Sequence, residues 1–370
     1  MEILESVKNL TKDNGAVKDL RDLLVLTNFV DETLEQFFTF RQNVANGEKL
    51  GWTGEMSDIG WAGAKCNPTY KTPTIEAAEK TWDIGDWSTP LKWCYEDFMN
   101  TIAEYALKTG SDIGDLTSTD IMDVIIYPAL DRAIKRMFWR FIWFGDKEAK
   151  DTDSSGQITS GVDVELFKPC NGLWKQLFAI GAASEAQHTK IAANDEASTA
   201  LQLSKIKEAG VAIGIFDSIL DSADPRISGL DGTALYVTKS LADALTKDMK
   251  REYKLILEWE QIFKGLEVSE YNGTPIYKVS IWDRMIMQYQ NNGTKLNLPH
   301  RAVFGSPKQM FVGSPAGQII SELELWFNQD ERVTKAYYAG RLGCLIGEDN
   351  LFQIRSEERR VGKECCEAGG

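Results

Sequence analysis

The chain has 370 residues, 43% of them apolar and 26% charged, a balance that supports a sizeable buried core and excludes global disorder. Its net charge of −14 excludes the basic footprint of a dedicated nucleic-acid binder. No run of about 18 apolar residues occurs, so no membrane-spanning helix is expected.

The opening segment, MEILESVKNLTKDNGAVKDL, lacks a basic stretch followed by an apolar one, so no secretory signal is expected and the chain should fold in a cytosol. In residues 17–45, Leu20, Leu23, Leu24, Phe29, Leu34, Phe37 and Phe38 recur at three- and four-residue steps, which predicts one or two helices. Residues 46–74 break that pattern: Gly or Pro recurs every few residues, and Trp52 and Trp61 stand in polar company. A structureless loop of this length is uncommon inside a compact domain, so it reads as an extension that docks on something. Residues 75–95, with Trp82, Ile84 and Trp87, read as strands returning from it.

A long helix is predicted over 119–144. Thr117 or Ser118 is a good N-cap, and Asp120 suits the first turn. Ile126, Leu130, Ala133, Ile134, Met137, Phe138 and Phe141 form one apolar stripe, and Gly145 is placed to cap the end. At about 1.5 Å per residue the helix would span roughly 39 Å, with a kink at Pro128. Residues 147–161 form a polar loop, and order resumes at 171–177. A helix is predicted over 203–222, a strand over 233–238 and a helix over 239–256. Asn272-Gly273 between two alternating segments predicts a type I′ hairpin. Two short strands are expected within 301–313, and a half-buried strand over 319–328. The mixture is α+β.

Chemistry-bearing patterns are few. Asp151, Asp153, Ser155, Gly156 and Ile158 follow the start of a calcium loop, but Val162 stands where a bidentate Glu is required. The loop reads first as a solvated turn and second as a weak cation site. Asp217, Asp221 and Asp224 lie beside a Pro turn and read as helix-end chemistry before an acid–base pair. His188 and His300 are the only histidines, and no nucleophile elbow, P-loop or dinucleotide fingerprint is present. No catalytic, cofactor-binding or metal-ligating residue is assigned. Arg132, Lys135, Arg136 and Arg140 make the long helix locally basic, which reads as a solvated face before a DNA-facing or subunit-facing strip. Cys66, Cys94, Cys170 and Cys344 read as buried thiols of a reducing compartment.

The order of these elements over about 20–354 resembles the major capsid proteins of tailed bacteriophages, the Hong Kong 97-type or Johnson fold, with a flavour of phages of gut Bacteroidetes. Residues 1–45 look like the N-terminal arm. The Gly/Trp-rich 46–95 stretch looks like the E-loop, and the helix ending RFIWFGD looks like the spine helix of a P-domain over 96–180. NGLWKQL resembles the short segment that follows the spine, and GTALYVTKSLADALTKDMKREYK, YNGTPIYKVSIWDRM and RAVFGSPKQMFVG resemble segments of a mixed α/β A-domain over 181–318, the last of them as paired strands. ISELELWFNQDERV resembles the β-rich return to the P-domain over 319–354.

The resemblance implies a non-enzymatic, self-assembling subunit of an icosahedral head, built of hexamers and pentamers in the host cytoplasm and ending in the virion. It implies scaffolding and portal proteins as partners, packaged DNA contacted without sequence preference, no membrane and no cofactor. The subunit-interface candidates are Trp52, Ile59, Trp61, Trp82 and Trp87. Two other readings compete: an encapsulin-type shell protein of the same fold, and an α+β enzyme with an unrecognised carboxylate site. Residues 355–370, RSEERRVGKECCEAGG, break from the rest. Residues 355–365 resemble the translation of a sequencing-adapter oligonucleotide, so this tail is expected to be non-native and to stand apart from the fold.

Overall fold

The computed structural model describes residues 34, 36–60, 70–94, 127–263, 265–316, 320–328 and 333–356. Strands β1 (Thr39–Gln42), β2 (Lys49–Met56), β3 (Ile75–Thr81) and β4 (Gly85–Cys94) precede helix α1 (Tyr127–Phe144). Helix α2 (Leu173–Ala183), strand β5 (His188–Thr189), helices α3 (Thr199–Lys205) and α4 (Val211–Ser222), strand β6 (Ala234–Thr238) and helix α5 (Lys239–Glu252) follow. Then come β7 (Glu260–Phe263), β8 (Leu266–Tyr271), β9 (Thr274–Val279), helix α6 (Ser280–Tyr289), β10 (Ala302–Gly305), β11 (Met310–Ser314), β12 (Ile320–Asn328), β13 (Val333–Ile346) and β14 (Phe352–Arg355). The chain is α+β.

The strands form three sheets among the described residues. A five-stranded sheet runs β1-β11-β13-β12 with β4 also on β13, a seven-stranded sheet runs β5-β14-β10-β6-β9-β8-β7, and β2 pairs only with β3. The chain passes between the two large sheets at β10–β11 and again at β13–β14. The central strands of the seven-stranded sheet are covered on both faces. Leu235 and Val237 of β6 face Phe216 of α4 and Leu241 and Leu245 of α5, while Ala234 and Tyr236 face a second, aromatic core. A strand buried on both faces reads as a continuous apolar run, as ALYV does.

The aromatic core gathers around the C-terminal half of α1. Ile134, Met137, Phe138, Trp139, Phe141, Ile142, Trp143 and Phe144 are all buried. That is more than one stripe, and a helix apolar all round must be enclosed all round. Trp143 meets Trp282 of α6 edge-to-face at 4.5 Å between centroids, and Trp174 of α2 meets Trp282 at 4.9 Å. Phe37, just before β1, reaches Trp139 at 5.3 Å and Trp143 at 5.8 Å. Burying each such ring contributes about 1.5–3 kcal/mol, with a further increment for edge-to-face contact. Arg301 closes this core: its guanidinium lies 5.3 Å from Phe144 and 5.4 Å from Trp174, and its Nε donates to Leu298 O at 2.9 Å. Burial lowers the Arg301 pKa to about 9. His300 beside it is fully buried, with Nδ1 2.9 Å from Ser240 Oγ and Nε2 3.3 Å from Gln202 O. Burial pushes its imidazole down to about 4.

Several expectations are corrected. The helical spacing read over 17–45 gives way at Thr39–Gln42 to β1, which runs parallel to β11. Here the ladder supplies the backbone hydrogen bonds that a helix would otherwise make. The described part of the long helix is Tyr127–Phe144; the rest of the 119–144 span lies outside the described residues. Ala133, assigned to the apolar stripe, is exposed. Gly145 is no left-handed cap: a Cβ there would lie 2.5 Å from Cys170 O, and Gly172 N donates to Gly145 O at 2.8 Å. Two backbones in contact, not a turn, require that glycine. The 203–222 helix is two helices, split at Gly210 with φ +75°, and the 239–256 helix stops at Glu252. The hairpin turn is as expected, with φ of 50° at Asn272 and 77° at Gly273.

β10 and β11 are not partners of each other, because Ser306 and a short turn carry the chain from one sheet to the other. Over 319–354, β12 and β13 lie in the five-stranded sheet, and β14 joins β10 of the seven-stranded sheet. Arg355 and Ser356, set apart with the tail, belong to the fold, since Arg355 pairs with Ala302 and both are buried. Arg355 Nη2 donates to Ser218 Oγ at 2.7 Å and Ser222 Oγ at 2.9 Å, but Nε and Nη1 have no partner among the described residues. Burial lowers its pKa to about 10.

Candidate functional site

No described residue from 45 to 81 is buried. Within that span β2 and β3 pair antiparallel, Lys49 opposite Thr81 and Trp52 opposite Ala78, with a register shift between Thr53 and Met56. Eight residues at about 3.3 Å each make a ribbon roughly 26 Å long. Alternation puts Leu50, Trp52, Ala78 and Lys80 on one face and Gly51, Thr53, Ala77 and Glu79 on the other. Lys80 lies 5.9 Å from the Trp52 ring, so that ring is half-covered by its own strand partner's neighbour. The far end is apolar and bare: Met56 is 50% exposed, Ile59 70%, Tyr70 92% and Ile75 53%. A two-stranded ribbon alone in water is marginally stable at best. This one carries exposed large apolar groups as well, the signature of a surface made for another surface.

The base of the ribbon is as firm as its tip is bare. Trp82 and Ile84 pack with Val44, Phe311 and Leu345 in a small core of their own. Glycines make room for them: a Cβ on Gly313 would come within 2.7 Å of the Trp82 ring, and one on Gly343 within 3.0 Å of Ile84. Trp82 N donates to Glu48 O at 2.8 Å, Gly47 N donates to Trp82 O at 2.9 Å, and Ile84 N donates to Asn46 Oδ1 at 3.0 Å. Lys80 donates to Ile346 O at 3.0 Å and pairs with Asp349. Asp83 pairs with Lys147 and accepts from Asn171 Nδ2 at 3.3 Å. Gly85 lies so close to Pro169 that any side chain would overlap its carbonyl oxygen. The ribbon thus stands on β11, β13 and the 169–171 turn at the end of α1.

The five interface candidates separate. Trp52 and Ile59 lie on the ribbon. Trp61 falls outside the described residues. Trp82 and Trp87 are corrections: they are 2% and 4% exposed, and each is part of this chain's own core. Trp82 fills the base, and Trp87 on β4 meets Phe138 of α1 edge-to-face at 5.7 Å. The return strand leaves the ribbon at Trp82 and enters the five-stranded sheet, so its later tryptophan points inward. The sequence reading missed Lys80, Asn46, Gly313 and Gly343, whose roles depend on partners far along the chain. The sole local signal was the pair of glycines placed between apolar residues in MFVGS and RLGCLI.

The other candidates do not converge. Asp151 accepts from Ser154 N at 2.8 Å and Asp153 from Ser160 Oγ at 2.5 Å, so both carboxylates are engaged within their own loop. Asp217 accepts from the Tyr271 hydroxyl at 2.6 Å, while Asp224 caps the next turn through Arg226 N at 2.9 Å. Arg140 leaves the basic strip: it is buried and donates to Leu166 O at 2.9 Å. Among the described residues no group of three or more His, Cys, Asp or Glu side chains could hold a metal ion. Among them, too, no helix is long and apolar enough to cross a membrane.

No protein-family model matches the sequence, and no curated protein matches it. Solved structures similar to the chain come from phages and from capsids of GTA particles. A satellite phage P4 procapsid, solved with its size-determination protein, is 10% identical over 92% of this chain and 98% of that one, with a TM-score of 0.49. A chain of Gordonia phage Cozz is 14% identical over 86% and 84%, with a TM-score of 0.47. One of Mycobacterium phage Ogopogo is 10% identical over 88% and 91%, with a TM-score of 0.47.

Proposed function

We propose that this chain is the major capsid protein of a tailed phage, a structural subunit whose work is to tile an icosahedral head with copies of itself. The observation that carries the reading is the bare ribbon: described residues 45–81 contain nothing buried, yet their base is fixed by a core, hydrogen bonds and ion pairs. A limb held rigidly and left apolar at its end is suited to lie across a neighbour. In a closed shell the same contact recurs on every copy, so each needs only modest energy. On this reading the ribbon is the E-loop, α1 is the spine helix of the P-domain, and the seven-stranded sheet with α4 and α5 is the A-domain. The protein is then non-enzymatic. Its partners beyond itself are scaffolding and portal proteins during assembly in the host cytoplasm, and DNA held without sequence preference inside the virion.

The test replaces residues 50–80 by an Asn-Gly turn joining Lys49 to Thr81, which the ribbon register allows. The full chain is expected to form hollow particles under negative-stain electron microscopy. The shortened chain is expected to keep its circular dichroism and unfolding midpoint and to run as small species on size exclusion. Normal particles from the shortened chain would sink the reading, as would a full chain that stays monomeric when expressed with a scaffolding protein.

A further inference from the structure

Cys170 and Cys344 are 174 positions apart in numbering and meet in the interior. Both are buried and neither is in a disulfide. They sit over successive carbonyls of the last turn of α1, Cys170 Sγ 3.4 Å from Phe141 O and Cys344 Sγ 3.8 Å from Ile142 O. The neighbouring Cys170 thiol and burial raise the Cys344 pKa well above its ordinary value. Gly145 and Gly172 seat the turn that carries Cys170 on the end of α1, and Gln176 Nε2 ties that turn to β13, donating to Asn171 O at 2.9 Å and to Cys344 O at 2.8 Å.

We propose that Cys170 and Cys344 form a latent dithiol that a hydroperoxide converts into an intramolecular disulfide, clamping the end of α1 to β13. The steps balance. Cys170 sulfur attacks one peroxide oxygen, the O–O bond breaks, and Cys170 becomes a sulfenic acid with loss of water. Cys344 sulfur then displaces that hydroxyl, its own proton leaving with it as a second water. Two thiols lose two electrons in all, and the peroxide gains them. A hydroperoxide suits the place because it is small and neutral; a bulky disulfide oxidant would have to leave a large adduct in a packed core. Access requires local opening, so the reaction should be slow. The clamp lies beside the ribbon's footing. Gly343 receives Ile84, Leu345 belongs to the base core, and the turn that carries Cys170 also carries Pro169 against Gly85 and Asn171 against Asp83. Oxidation would fasten the platform under the ribbon whatever the ribbon touches, so the inference stands apart from the assembly reading.

The test treats the full chain with hydrogen peroxide, quenches with catalase, unfolds in N-ethylmaleimide and maps peptides without reductant. A peptide pair joining Cys170 to Cys344 is expected, together with a rise of about 5 °C in the unfolding midpoint that dithiothreitol reverses. In Cys344→Ala, which leaves an apolar side chain in the core, the pair should vanish and dimedone should label Cys170 instead. The proposal is overturned if both cysteines return as maleimide adducts, in buffer and again in urea just below the unfolding transition. It is also overturned if Cys170 is found linked elsewhere, or if Cys344→Ala leaves Cys170 unlabelled by dimedone.

Discussion

Two tryptophans thirty residues apart, Trp52 and Trp82, stand on the same excursion of the chain and do opposite work. Trp82 fills a notch left by Gly313 and is enclosed by its own chain, while Trp52 is half-exposed on a ribbon that has no buried residue among the described ones. The contrast extends to the regions they belong to. The core around α1 is closed on every side by Trp143, Trp174 and Trp282, whereas the β2–β3 ribbon has its apolar groups at its free end. Residue type therefore does not separate the two roles; what separates them is whether the fold brings a second element within reach. Stability of the single chain should depend on the first region and be nearly indifferent to the second.

The largest effect is expected in the core. Trp143→Ala removes a fully buried ring that touches Phe37, Trp174 and Trp282. It should cost about 3–5 kcal/mol in urea-unfolding free energy, since the helix and sheet around it cannot close over so large a gap. A loss below about 1 kcal/mol would mean that the aromatic core is not the centre of stability.

Next comes acid. His300 is neutral in the fold, with a pKa near 4 against an ordinary value of about 6.5, so protons bind the unfolded chain first as pH falls. The stability linked to it is fully present above about pH 6.5 and is lost down to about pH 4, roughly 3 kcal/mol at the limit. Asp283, linked to the same Ser240, works in the opposite sense: burial raises its pKa, so its protonation on acidification favours the fold. His300→Gln should flatten the pH dependence of the unfolding midpoint between pH 4 and 6.5. An unchanged slope would reassign the acid sensitivity to carboxylates elsewhere.

The ribbon base should respond less. Gly313→Val puts a Cβ where the Trp82 ring now lies, and overpacking of this kind costs about 1–3 kcal/mol. The readout that sharpens the comparison is Trp82 fluorescence. Displacement of the ring should shift its emission even where the main transition near α1 moves little. Emission unchanged from the parent would show that β11 yields instead of the ring.

Much of the core region was legible in sequence, and little of the ribbon's footing was. MFWRFIWFGD announces a core helix, with seven apolar or aromatic residues in ten, although its reading as one stripe missed that the helix is enclosed all round, and Asn272-Gly273 announces its hairpin by the two positive φ angles it accepts. The extension at 46–74 was visible as a loss of periodicity. Its boundary was not: the strand character of 75–95 is uniform, and only pairing separates β3 on the ribbon from β4 on β13. Trp87 was misplaced for that reason. β1 was read as helix because Phe37 and Phe38 continue a helical spacing, while the β11 edge that captures the next residues lies some 270 positions away. Glycines that receive a side chain, such as Gly313 and Gly343, look like any other glycine until the partner is known.

The smallest effect on the single chain, and the most informative, is expected at the ribbon's end. Ile59→Asp places a charge on a side chain that is already 70% exposed and has no partner core, so unfolding free energy should change by less than about 0.5 kcal/mol. Removing the exposed Lys49–Glu79 pair by Glu79→Gln should be equally quiet, since pairs of this kind contribute between about 0 and 1 kcal/mol. The two variants part company on assembly. A carboxylate at position 59 would have to be desolvated wherever the ribbon lands, which costs several kcal/mol if left unpaired and recurs on every copy. Sedimentation should therefore find Ile59→Asp as unassembled subunits and Glu79→Gln as particles. Were Ile59→Asp to unfold the monomer instead, the ribbon's end would be part of this chain's own core, and the division between a closed core and an open limb would be wrong.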